Sequence, residues 1–257
     1  SMVVLSARLA LAPSEIPARL ASLASTDPLP EVCLTGFETL RTLDAAAARA
    51  LAEELLTTSP HVRVRLQAAK MLGPSAPPRS HALPTLCAIA DNLEVEPYLR
   101  AEALTGLTGA WDREGVAKVV KRALFDPNPE LRLGALEVIT ADAPAEGLAL
   151  VEADPALGAR FESPWERAEL AALYGHATSE LADARLIPML EDPELPVRVA
   201  AVKSLGRAGT IAAVEAMLSL TEGFWTHNDQ KDAAKTAIAA IQSRATSGGQ
   251  GQLSLSN

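Results

Sequence analysis

The chain carries one short pattern seven times at an almost constant interval, and this periodicity limits the folds open to it. The clearest copy is residues 192–206, Asp-Pro-Glu-Leu-Pro-Val-Arg-Val-Ala-Ala-Val-Lys-Ser-Leu-Gly, which reads as a turn, an amphipathic helix and a glycine stop. We take the arginine of this copy as the anchor position. The seven anchors are Cys33, Arg65, Arg100, Arg132, Arg167, Arg198 and Lys231. Successive anchors are 32, 35, 32, 35, 31 and 33 residues apart.

Each anchor lies in a segment whose apolar residues fall on one helical face. In the clearest copy these are Val197, Ala201 and Leu205, one before, three after and seven after the anchor. Asp-Pro or Ser-Pro pairs precede several anchor segments and end the preceding helix. A second apolar-periodic segment separates consecutive anchors, at 42–57, 82–91, 113–125, 144–152, 180–191 and 210–221. Each unit is therefore predicted to be two antiparallel helices, and units at this period stack into a solenoid.

Residues 192–206 and 126–140 resemble the short HEAT-like repeats of phycobilisome-lyase-type proteins, whose second helix opens Asp-Pro-x-x-x-Val-Arg-x-x-Ala. The resemblance extends from about residue 14 to residue 243, whereas the tetratricopeptide and ankyrin signatures are missing. It implies an all-α fold, a right-handed α-solenoid of about seven two-helix HEAT-like repeats. We expect a single solenoid domain over 1–244. The composition of 245–257 predicts a flexible C-terminal tail.

In HEAT-like repeats, acidic residues six positions before the anchor form a ladder with arginines of neighbouring repeats. By this resemblance, the expected ladder residues are Glu94, Arg100, Asp126, Arg132, Arg167, Asp192 and Arg198. The alternative is that the acids are exposed charges, which are favoured at a helix N-terminus in any case. A partly buried ladder predicts that Arg198→Ala costs more than roughly 1.5 kcal/mol.

The composition makes several kinds of partner and site unexpected: nucleic acid, a disulfide framework, a metal and a membrane. The net charge is −9 at pH 7, and no dense Lys and Arg cluster is present, so nucleic acid is not an expected partner. The two cysteines form no CxxC pair and the four histidines are far apart, which predicts neither a disulfide framework nor a metal site. No apolar segment approaches the roughly 20 residues that span a bilayer, and a signal peptide is not evident. We therefore expect a soluble, cytoplasmic protein with no membrane partner and no cofactor.

The surface created by repetition is the best candidate for a binding site, because no catalytic motif is present. In α-solenoids the second helices line a concave groove that binds partners. Positions two and five after each anchor are predicted to face this groove. The candidate residues are Gln67, Lys70, Glu102, Thr105, Glu137, Glu169 and Lys203, with Tyr98 and Trp165 at the rim. Glu130 and Glu166 add to an acidic middle, which favours a partner with a basic segment. The aromatic residues have an alternative role, packing irregular loops onto the core.

The sequence supports hypotheses from three classes of function. The leading hypothesis is a non-enzymatic scaffold or adaptor that binds a protein or peptide. The lyase-type resemblance implies, as an alternative, an activity or chaperone role on a bilin chromophore. A DNA-repair glycosylase is a second alternative, because one alkylpurine glycosylase family uses HEAT-like repeats, but the acidic groove disfavours it.

Overall fold

The protein is described here from a computed structural model, which describes residues 13–73, 81–222 and 227–253. Within these ranges all regular structure is helical: a 3₁₀ turn at Pro13–Glu15 is followed by fifteen α-helices. The helices are α1 (Ile16–Thr26), α2 (Pro30–Leu43), α3 (Ala45–Thr58), α4 (Val62–Leu72), α5 (Ala82–Asp91), α6 (Pro97–Thr105), α7 (Val116–Ala123), α8 (Pro129–Asp142), α9 (Pro144–Ala153), α10 (Pro155–Ala159), α11 (Pro164–Tyr174), α12 (Ser179–Met189), α13 (Leu195–Ala208), α14 (Ile211–Glu222) and α15 (Asn228–Leu253). The predicted all-α fold class is confirmed.

The helices alternate as the first and second members of seven repeats. The first helices are α1, α3, α5, α7, α9, α12 and α14, and the second helices, which carry the anchors, are α2, α4, α6, α8, α11, α13 and α15. The short helix α10 is an addition within the connection between α9 and α11. The prediction of seven two-helix repeats is thereby confirmed.

The turns before the second helices follow from their Asp-Pro sequences. The Asp192 side chain accepts a hydrogen bond from the backbone N–H of Glu194 at 2.9 Å, and Asp126 accepts one from Asn128 at 2.9 Å. Such turns satisfy a backbone donor just before the helix begins. Pro196 then occupies one of the first two positions of α13, where a missing N–H costs nothing. The helix starts are thus encoded locally.

The core lies along the predicted face of the second helices. In α4, for example, Val64, Ala68 and Leu72 are all buried. Burying such a stripe against neighbouring helices supplies most of the stability of short helices. Two positions break the apolar pattern: Glu166 and Gln230, each directly before an anchor, are both buried.

The contacts divide the chain into two compact units, Ser1–Arg122 and Ala123–Asn257. Sequence analysis predicted a single domain over 1–244, and each unit is described by itself below. Helix α15 continues to Leu253, so residues 245–253 of the predicted flexible tail are helical. The side chains of residues 242–246 are exposed. Residues 254–257 lie outside the described residues.

The three irregular connections differ in what the structure describes. In the connection over 153–166, Leu157 of α10 and Phe161 are buried and pack this segment onto the core. The Pro-rich loop at 74–80 lies outside the described residues. So does Trp225, in the connection before α15.

Candidate binding surface

The second-helix surface of the first unit contains a small cleft between α2, α4 and α6. The cleft has a volume of about 230 Å³ and includes Gln67, Tyr98 and Glu102 in its lining. Lys70 and Glu102 form an ion pair with Nζ 3.3 Å from Oε2. Tyr98 is 45% exposed, and Thr105 is half-buried on the same helix as Glu102. This part of the predicted groove therefore combines a neutralised charge pair with an exposed aromatic ring.

In the second unit, two glutamates on adjacent second helices are close enough to affect each other. Glu137 of α8 is exposed and Glu169 of α11 is half-buried. Partial desolvation, and then the negative charge of Glu169, raise the pKa of Glu137. A cation placed between the two carboxylates would relieve this repulsion.

Trp165 lies at the N-terminus of α11 and is 62% exposed. Its backbone N–H donates to Ser163 Oγ at 3.3 Å, so the start of the helix is fixed while the indole projects outward. The alternative expectation, that Trp165 packs the loop onto the core, is wrong. Leu157 and Phe161 fill that role and leave the indole exposed.

Glu166 does not contribute to an acidic groove, contrary to the sequence-based expectation. Its Oε1 accepts a hydrogen bond from Arg132 Nε at 2.7 Å, and its Oε2 accepts one from the Ser163 N–H at 3.0 Å. The second contact completes a capping box with Ser163 at the start of α11. Because both carboxylate oxygens are used internally, Glu166 joins two repeats instead of facing a partner.

Anchor arginines bond to side chains of the following repeat, and we call these contacts the inter-repeat joints. Arg167 donates from Nε and Nη2 to the two carboxylate oxygens of Asp192, at 2.8 and 3.1 Å. This bidentate pair lowers the pKa of Asp192. Arg198 donates from Nε to Gln230 Oε1 at 3.2 Å. The predicted ladder arginines therefore do reach across to the next repeat in α8, α11 and α13.

Four anchors also contact a carbonyl oxygen within their own repeat, that of the residue six positions before them. Arg198 Nη1 donates to the backbone oxygen of Asp192 at 2.7 Å, and Arg132 Nη1 donates to that of Asp126 at 3.1 Å. Arg65 Nη1 donates to Ser59 O at 2.7 Å, where no acid is present. Even the Cys33 thiol lies 3.1 Å from the carbonyl oxygen of Asp27. At these four positions the residue six before the anchor contributes its backbone oxygen, and the Asp192 side chain in addition pairs with Arg167.

Two predicted ladder residues behave differently. Glu94 is exposed, and in the described contacts only its backbone N–H takes part, donating to Asn92 Oδ1 at 3.0 Å. The inclusion of Glu94 is therefore wrong, because its local turn holds the backbone and directs the side chain to solvent. Arg100 is buried and donates from Nε to the carbonyl oxygen of Ala90 at 2.9 Å, at the end of the first helix of its own repeat.

Two joint residues, Glu166 and Gln230, were missed by the sequence analysis. Both stand directly before an anchor, at a position that is otherwise apolar. A polar residue within a buried stripe was the signal that would have identified them. Lys203, the last predicted groove residue, is exposed beside a larger groove between α13 and α15, which we consider below.

The fold and the surface define a class of protein: the chain is a helical-repeat protein with HEAT-like two-helix units. No protein-family model matches the sequence, and no curated protein matches it. Among solved structures, human deoxyhypusine hydroxylase in complex with glycerol is similar at 17% identity, covering 90% of this chain and 96% of that chain with a TM-score of 0.35. We draw nothing about activity or ligands from this level of likeness.

Over 13–73, 81–222 and 227–253, no three His, Cys, Asp or Glu side chains come together as a metal site would require. Within the same ranges, no helix has the length and apolar character needed to cross a membrane.

Proposed function

We propose that the chain is a non-enzymatic scaffold that binds a protein or peptide through the exposed face of its second helices. The partner segment is basic. The observation that supports this most directly is the pair Glu137 and Glu169 on adjacent second helices, where partial desolvation and then the charge of Glu169 raise the pKa of Glu137. A lysine or arginine between these carboxylates would gain a charge-assisted contact with each, and the repulsion would be removed.

The exposed aromatic residue on the same helix as Glu169 adds to the proposal. Trp165 is held at the beginning of α11 by a helix cap and exposes most of its indole. Tryptophan is enriched among the residues that dominate binding energy at protein interfaces, and it loses little entropy on binding. We infer that Trp165 contacts apolar atoms beside the basic residue of the partner. The lyase-type resemblance and the cytoplasmic location stay predictions from the sequence, and this proposal does not depend on them.

The test is the binding of a fluorescein-labelled peptide with a central run of arginines to the full chain, followed by anisotropy. Glu137→Gln combined with Glu169→Gln should weaken binding about tenfold, equivalent to about 1.4 kcal/mol. The matched control is Glu180→Gln with Glu191→Gln, which changes the net charge equally at two exposed sites on and after the first helix α12. Equal weakening by both double variants would show a non-specific charge effect and refute the proposed site.

A further inference from the structure

An open groove lies between the second helices α13 and α15. It has a volume of about 770 Å³. Leu195 and Val199 of α13 face Ala233, Ala237 and Ala240 of α15 across it. The alanines recur at helical spacing and are too short to fill the space between the helices. The result is an open apolar channel beside the line where the two helices contact each other.

Helices α13 and α15 run parallel. Three contacts show this, because their positions increase together along both helices. Arg198 bonds Gln230, a side chain added at Gly206 would lie 3.0 Å from Ala237 Cα, and Arg244 Nη2 donates to Gly209 O at 3.0 Å. Gly206 and Ala237 are therefore a point of close approach, which only small residues permit. The channel over 195–206 has a length of about 17 Å, or three helical turns.

The two ends of the channel carry opposite charges. Asp229 and Asp232 lie at the end where α15 begins, and Lys203 and Arg207 lie near the C-terminal end of α13. Within the described part of the chain, neither Lys203 nor Asp232 has an ion-pair partner. The Arg207 side chain donates to Ala172 O and Ser204 Oγ, and Asp229 lies 3.6 Å from His227 Nδ1.

We propose that this channel binds an amphipathic helix of about three turns from a partner protein. The helix has an apolar stripe facing α13 and α15, basic residues at the Asp229 and Asp232 end, and acidic residues at the Lys203 and Arg207 end. A third helix packed on two parallel helices would cover the exposed apolar floor, as in other helix-in-groove complexes. The opposite charges at the two ends of the channel then fix the direction of the bound helix, because each end of the helix meets residues of opposite charge. The inference rests on the proposed function and deepens it by naming the shape and chemistry of one partner segment.

The first experiment compares three synthetic, stapled helical peptides of twelve residues that share one leucine stripe. One peptide has lysines at one end and glutamates at the other, the second has lysines throughout, and the third has glutamines throughout. Binding to the full chain is measured by anisotropy. We expect the bipolar peptide to bind about tenfold more tightly than the glutamine peptide. Lys203→Glu should move the preference to the all-lysine peptide. Equal affinity of wild type for all three peptides would overturn the proposal.

The second experiment fills the channel with a large side chain. Thr236 lines it and is exposed, so Thr236→Trp should abolish binding of the bipolar peptide without disturbing the core. The control is Gln242→Trp, at an exposed position of the same helix outside the channel lining. Circular dichroism and urea unfolding establish that both variants are folded. Full binding by Thr236→Trp contradicts the proposal. Self-association of the wild type in sedimentation that Thr236→Trp removes would assign the channel to a second copy instead.

The experiments distinguish failure of the acidic-pair proposal from failure of the channel proposal. Loss of arginine-peptide binding in the Glu137→Gln, Glu169→Gln variant tests the acidic pair on α8 and α11, and Thr236→Trp leaves that pair intact. If the acidic pair is required but the bipolar peptide binds equally well to Thr236→Trp, the scaffold proposal stands and the channel proposal falls. If Glu137→Gln with Glu169→Gln leaves arginine-peptide binding unchanged while the channel discriminates between the three peptides, the acidic site is refuted and the channel proposal stands.

Discussion

Arg132 and Glu166 form a buried ion pair between two consecutive repeats, with Nε 2.7 Å from Oε1 and side-chain exposures of 9% and 0%. The same carboxylate caps α11 through the N–H of Ser163. One side chain therefore joins two helices and begins one of them. The position before the anchor is apolar in every other repeat except the last, which has Gln230, so this joint replaces hydrophobic contact with a paired charge.

Glu166→Ala is predicted to be strongly destabilising, because it leaves the Arg132 guanidinium buried without its carboxylate. Removal of one partner of a buried pair costs about 3–5 kcal/mol, measured as the free energy of unfolding in urea. The control is Glu38→Ala, since Glu38 and Arg41 form an exposed pair. That loss should be below about 1 kcal/mol. Comparable losses for the two variants would contradict the structural role of Glu166.

Arg198→Ala is expected to cost more than roughly 1.5 kcal/mol in the same measurement. The substitution leaves the carbonyl oxygens of Asp192 and Pro193, and the Gln230 amide, without their arginine donor. Lys203→Ala on the same helix should have almost no effect, because the Lys203 side chain is exposed. A loss near zero for Arg198→Ala would rule out the joint as a source of stability.

Gln230→Glu should stabilise the protein at neutral pH. Gln230 is buried, and among the described residues no group accepts a hydrogen bond from its Nε2. A carboxylate removes this unsatisfied donor and gives Arg198 a charged partner, as Glu166 does for Arg132. The expected gain is about 1 kcal/mol, and Gln242→Glu at an exposed site serves as the control. A lower midpoint of urea unfolding would show that burying the new charge costs more than the pair returns.

The Arg167–Asp192 pair should make stability depend on pH. The pKa of Asp192 is lowered in the folded state, mainly by the hydrogen bonds from Arg167. A lowered carboxyl pKa contributes stability that is present above the unfolded value, about pH 4, and is lost as pH falls through the folded value. The difference in unfolding free energy between wild type and Asp192→Asn should therefore be largest near neutral pH and shrink under acid. A difference that stays constant from neutral pH to acid would contradict the contribution of this pair.

Gly147→Ala should destabilise the protein although alanine is the better helix former. A Cβ at Gly147 in α9 would overlap Ile139 Cγ2 and press on Leu173. Such overpacking costs about 1–3 kcal/mol, more than the gain of up to about 1 kcal/mol from helix propensity. Gly158→Ala in α10 is the matched control, because its nearest contact would be Val151 at 4.0 Å. A rise in the thermal midpoint of Gly147→Ala would contradict the close approach.

The repeat fold was predictable because its determinants are local and recur. The Asp-Pro turns, the anchor spacing and the apolar stripe each act within about fifteen residues, so they identified the second helices from the sequence. The position of α10 was not predicted, since its place depends on the burial of Leu157 and Phe161 by other helices.

The joints were predicted only in part for a related reason. From the sequence, the anchor arginines were expected to pair with acidic residues such as Glu94. In the fold these arginines also bond to backbone carbonyls, which no pattern of side chains reveals. Glu166 and Gln230 lie outside the expected positions, and the exposure of Trp165 follows from which neighbours fill the core below it. The channel between α13 and α15 depends on how closely two helices approach, which the spacing of alanines does not specify.

The carbonyl six residues before the anchor has a consequence for how such a chain changes over time. Every amino acid supplies the same backbone oxygen, so substitution at that position leaves an acceptor for the anchor in place. Asp126, Ser59 and Asp192 fill this position with different side chains and offer the same acceptor to an arginine. This backbone contact survives a substitution in the turn, whereas a pair such as that between Arg167 and the Asp192 side chain does not. A chain of this kind can therefore acquire new surface chemistry at those turns whose side chains make no contact with the neighbouring repeat.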